Sequence, residues 1–277
     1  MTRVKDTLQR LQLKPKKAKG QNFIIDSSVI REILEFGHPS SEDALVEIGP
    51  GLGALTEELY KIMPPTLVEI EESFCRELQV KYPNSRIICG DVRFVDFSQI
   101  GKDLTVFGNL PYVYSTDIIF HLLSFAPILK RAVLLLQKEF VDRMAAAPGC
   151  KIYGSLSIAC QIWADIFPGP IIDGASFHPP TKVSSRIVEL RFLKETRYEI
   201  SDLRWFRTVL KAAFSTRRKK LLNSLGSLIK CDKDTLKCLI KNSGIDPNCR
   251  AETLSVEEFV NLSNALKEAL LEEQKSL

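Results

Sequence analysis

Val46-Glu47-Ile48-Gly49-Pro50-Gly51-Leu52-Gly53-Ala54 is the stretch on which the fold turns. It reads as an apolar β-branched strand, a glycine-rich turn and the start of a helix. Glycines belong in such a turn because the backbone must bend tightly and approach a ligand with no Cβ in the way. Gly49, Gly51 and Ala54 satisfy the dinucleotide pattern G-x-G-x-x-G/A, and Glu69 follows Gly49 by 20 residues, where a ribose-binding acid belongs. A NAD-linked oxidoreductase is therefore one reading of this stretch. Glu47 argues for another: a carboxylate beside the turn repels a pyrophosphate but tolerates or prefers a cationic amino-acid moiety.

Working outward, short β-branched runs alternate with helical periodicity over the first two-thirds of the chain. Strands are expected at Ala44–Ile48, Thr66–Ile70, Arg86–Cys89, Leu104–Phe107, Ala132–Leu136 and Ile187–Phe192, and helices at Ala54–Ile62, Ser73–Tyr82, Thr116–Phe125 and Leu156–Ala164. This alternation predicts an α/β fold with a mostly parallel sheet. Pro168, Pro170, Pro179 and Pro180 deny a long helix near Ile166–Ser185, so the last strands are expected to pair through a loop. From about Ser201 only helices are read, at Leu203–Phe214, Lys219–Ile229, Asp234–Asn242 and Val256–Leu271. The expected organisation is a basic segment 1–20, an α/β domain 21–198 and a small all-helical domain 199–277.

Composition limits the function classes. The chain has 277 residues, 45% hydrophobic and 26% charged, with 14 Gly and 14 Pro, which are ordinary globular values. No apolar run is long enough to span a membrane, and the first twenty residues are too charged for a signal peptide, so a cytoplasmic protein is expected. The seven cysteines include no C-x-x-C pair and the three histidines are scattered, which points to reduced thiols and no metal site. Net charge is 38 − 34 = +4, unevenly spread. Residues 1–20 carry seven Lys/Arg and one acid (+6) and residues 204–220 carry seven and none (+7), leaving 4 − 13 = −9 elsewhere. Two basic patches on an acidic body suit a polyanion, although a solvated basic face would look the same.

Two further strand ends converge on the crevice where open α/β sheets bind ligands. Asp91 in Cys89-Gly90-Asp91-Val92 can accept from an adenine amine or simply cap a turn. The fourth strand runs into Asn109-Leu110-Pro111-Tyr112. An exocyclic adenine amine is a poor nucleophile because its lone pair is delocalised into the ring. The Asn109 side-chain oxygen and the Leu110 carbonyl can accept its two N–H groups, Pro111 stiffens the turn, and Tyr112 offers a face for stacking.

With these motifs the sequence resembles the ribosomal RNA adenine dimethyltransferases of the KsgA type. The resemblance runs from Lys19-Gly20-Gln21-Asn22-Phe23-Ile24 through Val46–Thr56, Asn109–Tyr112, Gln137-Lys138-Glu139 and Phe177–Ser185. It continues through Arg217-Arg218-Lys219 and Asn223-Ser224-Leu225 to Gly244-Ile245-Asp246-Pro247. It implies a class I, Rossmann-like methyltransferase fold with S-adenosylmethionine as donor. The implied reaction is two methyl transfers onto each of two adjacent adenines near the 3′ end of 16S rRNA, in the small ribosomal subunit or its precursor. By the same resemblance Asn22 and Ile24 touch the donor, Gly49 and Gly51 cradle its methionine part, and Glu69 binds the ribose. Asp91 with Val92 reads the adenine, Asn109 stands between donor and acceptor, and Phe177 stacks the target base opposite Tyr112. Lys17, Lys19, Arg217, Arg218, Lys219 and Lys220 are expected to hold RNA phosphates. The family usually has a third proline at Thr181 and an acid at Ser184; their absence is expected to loosen the loop that presents Phe177.

Rival readings are a large-subunit rRNA methyltransferase sharing this core and a non-catalytic ribosome-assembly protein. No heptad seam or symmetric patch is visible, so a monomer is expected.

Overall fold

The computed structural model describes residues 8, 10, 21–216, 219–226, 229 and 232–275. The chain forms two compact units, 1–141 with 164–195 and 142–163 with 196–277. The sequence reading places boundaries at 20/21 and 198/199 and keeps 142–163 within the α/β domain. Packing explains the difference. Ala146, Tyr153, Ile158 and Ile162 are buried in one cluster with Phe206, Leu210, Leu236 and Phe259 of the helical unit. The Gln161 amide also ties that segment to itself, donating to the Met144 and Ala146 carbonyls at 3.0 and 2.9 Å.

The first unit holds β1 (Phe23–Ile24), β2 (Ala44–Ile48), β3 (Thr66–Glu69), β4 (Ile87–Cys89), β5 (Leu104–Asn109), β6 (Leu129–Gln137), β7 (Ala164–Ile172), β8 (Phe177–His178) and β9 (Ser185–Phe192). Seven of them form one sheet in the order β4-β3-β2-β5-β6-β9-β7. Strands β4 to β6 pair in parallel, and β9 lies antiparallel between β6 and β7. Counted along the chain within this sheet the order is 3-2-1-4-5-7-6, whereas a dinucleotide fold ends 4-5-6. The extra antiparallel strand removes the oxidoreductase reading at the level of fold. Strand β7 was not anticipated, because Pro168 and Pro170 argue against a sheet interior; it is an edge strand whose register shifts between Pro168 and Ile171, where a missing N–H costs no ladder bond. The helix expected at Leu156–Ala164 stops at Gln161, since Ala164 already pairs with Phe192.

Helices α1 (Ser27–Gly37), α2 (Thr56–Ile62), α3 (Glu72–Lys81) and α4 (Ser115–Ser124) follow strand ends or precede strands. α1 starts where Asp26 accepts from the Ser28 amide at 2.9 Å. It buries Val29, Ile30 and Ile33 with Leu45, Phe107, Val133 and Ile187 of the sheet. α3 buries Phe74 and Leu78 with Leu67. At the sheet end where β2, β5 and β6 begin, Asp43 ties them together. It accepts from Thr105 Oγ1 (3.1 Å), Lys130 Nζ (2.8 Å), Arg131 Nη2 (3.1 Å) and the Ser40 amide (3.0 Å).

α5 (Lys138–Met144) runs from the first unit into the second. Beyond it, the second unit contains α6 (Ser155–Gln161), α7 (Leu203–Ala213), α8 (Leu221–Leu225), α9 (Lys233–Asn242) and α10 (Val256–Lys275). Among its described residues there is no strand. α7 is capped by Asp202, which accepts from the Trp205 amide at 2.9 Å, and buries Phe206, Val209 and Leu210 while Arg204, Arg207 and Lys211 face solvent.

Candidate active site

Strand β2 is flanked by β3 on one side and β5 on the other, the place where the winding of the sheet reverses. The cleft at the carboxyl ends of these strands is lined by Asn22, Ile24, Glu47, Gly49, Gly51, Glu69, Asp91, Val92, Asn109, Leu110 and Pro111. All the residues assigned to the donor by resemblance therefore meet in one place. Gly49 and Gly51 have φ of 68° and 55°, a backbone that disfavours any side chain. A Cβ on Gly51 would also stand 3.2 Å from the Phe23 ring, which packs edge-on against Phe74. Strand β1 thus closes over the glycine turn.

Two buried acids flank that turn. Glu69 accepts from the Gly51 amide at 3.0 Å and the Glu71 amide at 2.8 Å. Burial pushes its carboxyl up, and these backbone donors pull the other way. Glu47 is 2% exposed and its Oε2 has no hydrogen-bond partner among the described residues. Burial raises the Glu47 carboxyl to about 8, outweighing the Thr56 hydroxyl, which pulls the other way, with the charge of Glu69 adding a further upward push. The repulsion expected between Glu47 and a pyrophosphate is accordingly muted at neutral pH, where the carboxyl holds its proton. A cation brought to Oε2 would favour its ionised form.

The raised pKa has a consequence for stability. Between pH 4.5 and about 8 the folded protein holds a proton at Glu47 that the unfolded chain has lost. Stability therefore falls as pH rises across that window, by up to about 1.4 kcal/mol per pH unit from this group. Glu47→Gln is expected to remove that slope, raising the stability of the unliganded protein at pH 8 relative to pH 5. Denaturant titrations at the two pH values measure it; a variant with the wild-type slope would show that the carboxyl is ionised in the fold.

At the end of β5 the Asn109 amide donates from Nδ2 to the Asn22 carbonyl at 2.8 Å. A backbone carbonyl only accepts, so this bond settles the orientation of the amide and leaves Oδ1 as an acceptor. Leu110 is buried and its amide donates to the Leu135 carbonyl at 3.2 Å. Pro111 has φ of −64° and starts the turn Tyr112–Tyr114. Tyr112 is half-buried, shares a 2.6 Å hydrogen bond with Ser185 Oγ of β9, and lies outside the donor cleft.

Phe177 is placed differently from its expected role. β8 pairs with β1, Ile24 opposite Phe177, and the Phe177 ring is 1% exposed in the cluster of Ile24, Val29, Ile30 and Ile33. Stacking on a base requires that ring to be uncovered; as it stands it supports β1, which carries Ile24, with Asn22 just before it, to the cleft. The following loop is tied rather than slack. Where the family usually has a proline, the Thr181 amide donates to the Gly174 carbonyl at 3.0 Å and Thr181 Oγ1 to the Val183 carbonyl at 2.6 Å.

Lys219 and Lys220 are exposed in the helical unit, with Lys220 Nζ donating to Asn248 Oδ1 at 2.9 Å. Lys17, Lys19, Arg217 and Arg218 lie outside the described residues. Sequence reasoning does not single out Phe23, Arg93, Tyr114 or Ser185. Arg93 and Tyr114 line the cleft two residues beyond Asp91 and Tyr112, and that proximity was the available signal. Ser185 comes from a strand distant in sequence and carried none. Among the described residues no cluster of metal-ligating side chains is present, and no helix is long and apolar enough to cross a membrane.

A sheet of this order, with a glycine turn and acids at successive strand ends, defines a Rossmann-like methyltransferase domain. The chain belongs to the ribosomal RNA adenine dimethylase family, whose model matches residues 12–268. Ribosomal RNA small subunit methyltransferase A of Proteus mirabilis is 40% identical over 260 residues, covering 91% of this chain and 93% of that protein. The protein of the same name from Bacillus mycoides is 38% identical over 278 residues, 95% of each. The crystal structure of a dimethyladenosine transferase from Plasmodium falciparum superposes with a TM-score of 0.76 at 24% identity, over 91% of this chain and 98% of that one, and bears on the fold alone.

Members of the family take their methyl groups from S-adenosylmethionine. The cleft fits that donor. It offers a glycine cradle, a Glu47 Oε2 with no partner among the described residues that a cation could meet, and the carboxylates of Glu69 and Asp91 as acceptors at successive strand ends.

Proposed function

We propose that this protein dimethylates the N6 amines of two adjacent adenosines in the 3′-terminal hairpin loop of 16S rRNA, during biogenesis of the small ribosomal subunit. It acts as a cytoplasmic monomer. The small-subunit assignment is supported by relatives of that name matched over more than nine-tenths of both chains. The observation that carries the chemistry is the Asn109 amide, whose N–H is held by Asn22 so that its oxygen remains to accept.

In this reading Asn109 Oδ1 and the Leu110 carbonyl take the two N–H groups of the target amine, turning its lone pair out of the ring plane. Tyr112, braced by Ser185, presents its ring to the base. S-Adenosylmethionine, when bound, supplies a methyl on a cationic sulfur that leaves as a neutral thioether. Because the leaving group is neutral, no strong base is needed, and the surplus proton passes to solvent. Alignment by Asn109, Leu110 and Pro111 is then the main source of rate. Glu47, Gly49 and Gly51 hold the methionine part, Glu69 the ribose, and Asp91 with Val92 the adenine. Lys17, Lys19 and Arg217–Lys220 hold RNA phosphates.

The test is primer extension on rRNA from cells lacking the protein. Loss of two adjacent stops near the 3′ end of 16S rRNA is expected, with 23S rRNA unchanged; loss in 23S rRNA would establish the large-subunit reading instead. Parallel salt titrations add a physical check. RNA affinity should fall by about 10³-fold between 50 and 200 mM salt if six or more phosphates are neutralised, while affinity for S-adenosylhomocysteine changes little. Equal slopes would refute the phosphate contacts.

A further inference from the structure

Asp91 and Arg93 form a closely matched pair on the wall of the donor cleft. Asp91 ends the turn after β4, and among the described residues its carboxylate takes three N–H donors, all from Arg93. The Arg93 amide reaches Oδ1 at 3.0 Å, Nη2 reaches Oδ2 at 2.6 Å, and Nε lies 3.1 Å from each oxygen. The guanidinium is itself held in place. It lies 4.3 Å over the Tyr114 ring, and its Nη1 approaches Asp117 Oδ2 at 3.4 Å. Asp91, Arg93 and Tyr114 all line the same cleft, and the Asp91 and Arg93 side chains are 20% and 28% exposed.

An ionised carboxylate offers about four acceptor positions. Arg93 supplies three donors, with Nε shared between the two oxygens, so the carboxylate has room for one further donor, whose direction is fixed because the fork and the amide together hold the carboxylate in one orientation. A lone acceptor of fixed direction matches one N–H of an exocyclic amine. It is opposed by a carbonyl oxygen in the same place, where two lone-pair bearers would face each other.

We propose that Arg93 is a specificity-determining positioning residue of the donor site, which orients the Asp91 carboxylate to accept from a 6-amino purine and to reject a 6-oxo purine. Arg93 acts through Asp91 and needs no contact with the purine. The guanidinium is the residue type suited to this work, since a planar fork fixes both oxygens where a lysine ammonium fixes only a point. The proposal rests on the reading of Asp91 as the residue that meets the adenine.

The test compares two ligands by calorimetry on the full-length protein: S-adenosylhomocysteine and its deaminated counterpart, S-inosylhomocysteine. The wild type is expected to prefer the amino form by roughly tenfold or more. Arg93→Leu is expected to cut that preference at least about fivefold, and Arg93→Lys to restore only part of it. A general loss of folding or of cleft shape affects both ligands alike and cancels in the ratio. Asp91→Ala separates the two layers of the argument. If Asp91→Ala keeps the wild-type ratio, Asp91 does not read the purine and the underlying assignment fails. If Asp91→Ala abolishes the ratio but Arg93→Leu preserves it, Asp91 is read without help and the role of Arg93 is overturned. Full rescue by Arg93→Lys would likewise overturn the requirement for a fork.

Discussion

Asn109→Ala should lower the rate of methyl incorporation into rRNA by about 10²–10³-fold, the loss typical when one preorganised polar group is removed from a reacting centre. The effect should fall on kcat, because Oδ1 acts on the amine as its lone pair turns toward the electrophile. RNA affinity, which rests on phosphate contacts spread over the surface, should stay within about twofold. Asn109→Asp sharpens the test. It keeps an acceptor but loses the Nδ2 donor that meets the Asn22 carbonyl at 2.8 Å, so the oxygen is no longer held and a charge faces a backbone oxygen. Little activity should return. Single-turnover assays with labelled donor, paired with filter binding of the RNA, measure both quantities. Parallel losses of rate and RNA affinity in Asn109→Ala would favour a binding module over an enzyme.

The largest effect on stability is expected far from the cleft, at Asp43→Ala. The Asp43 side chain is 1% exposed and gathers Thr105, Lys130, Arg131 and the Ser40 amide at the starts of β2, β5 and β6. Burial alone would raise its carboxyl. The Lys130 hydrogen bond, the Ser40 amide, the Thr105 hydroxyl and the Arg131 charge outweigh it and hold the carboxyl at about 2. Removing the acid takes from Arg131, only 14% exposed, one of its two carboxylate partners, Glu189 Oε1 at 3.6 Å remaining, and strips the buried Thr105 hydroxyl and the Ser40 amide of their acceptor, a loss of about 3 kcal/mol. The melting temperature should drop by roughly 10 °C, with S-adenosylhomocysteine binding at low temperature nearly unchanged because the acid sits at the opposite end of the strands. The pH dependence has a definite sign. The folded-state value lies below the ordinary 3.8, so the stabilisation is complete above that pH and is lost as pH falls toward about 2. The gap between the wild-type and variant melting curves should be smaller at pH 3 than at pH 7; a constant gap would assign the effect to packing.

Local patterns exposed much of this architecture. The run Ala44–Ile48 is apolar at four of five positions, as a strand buried inside a parallel sheet is, and the glycines after it have positive φ. Asp91 and Asn109 were placed at one crevice because strand ends in such sheets share an edge. Phe177 and residues 142–163 resisted the same treatment. An aromatic in a Phe-x-Pro loop looks like a binding face until β8 is seen paired with β1, which encloses it. The segment 142–163 has the helical composition of its neighbours, and only the burial of Tyr153, Ile158 and Ile162 with Phe206 and Phe259 shows which core it joins.

The order of residues by itself determined the strand–turn–helix units, the glycine cradle and the chemistry available at each strand end, because these follow from backbone sterics and from side chains a few positions apart. Tertiary structure decided which groups are already spoken for: Asn109 by Asn22, Tyr112 by Ser185, Asp91 by Arg93, and Glu47 Oε2 by nothing among the described residues. Two of those four relations join residues more than seventy positions apart, and the state of Glu47 depends on burial by the whole sheet. Hydrogen-bond partnership and desolvation are set by neighbours in space, so they become visible only once the chain has closed on itself.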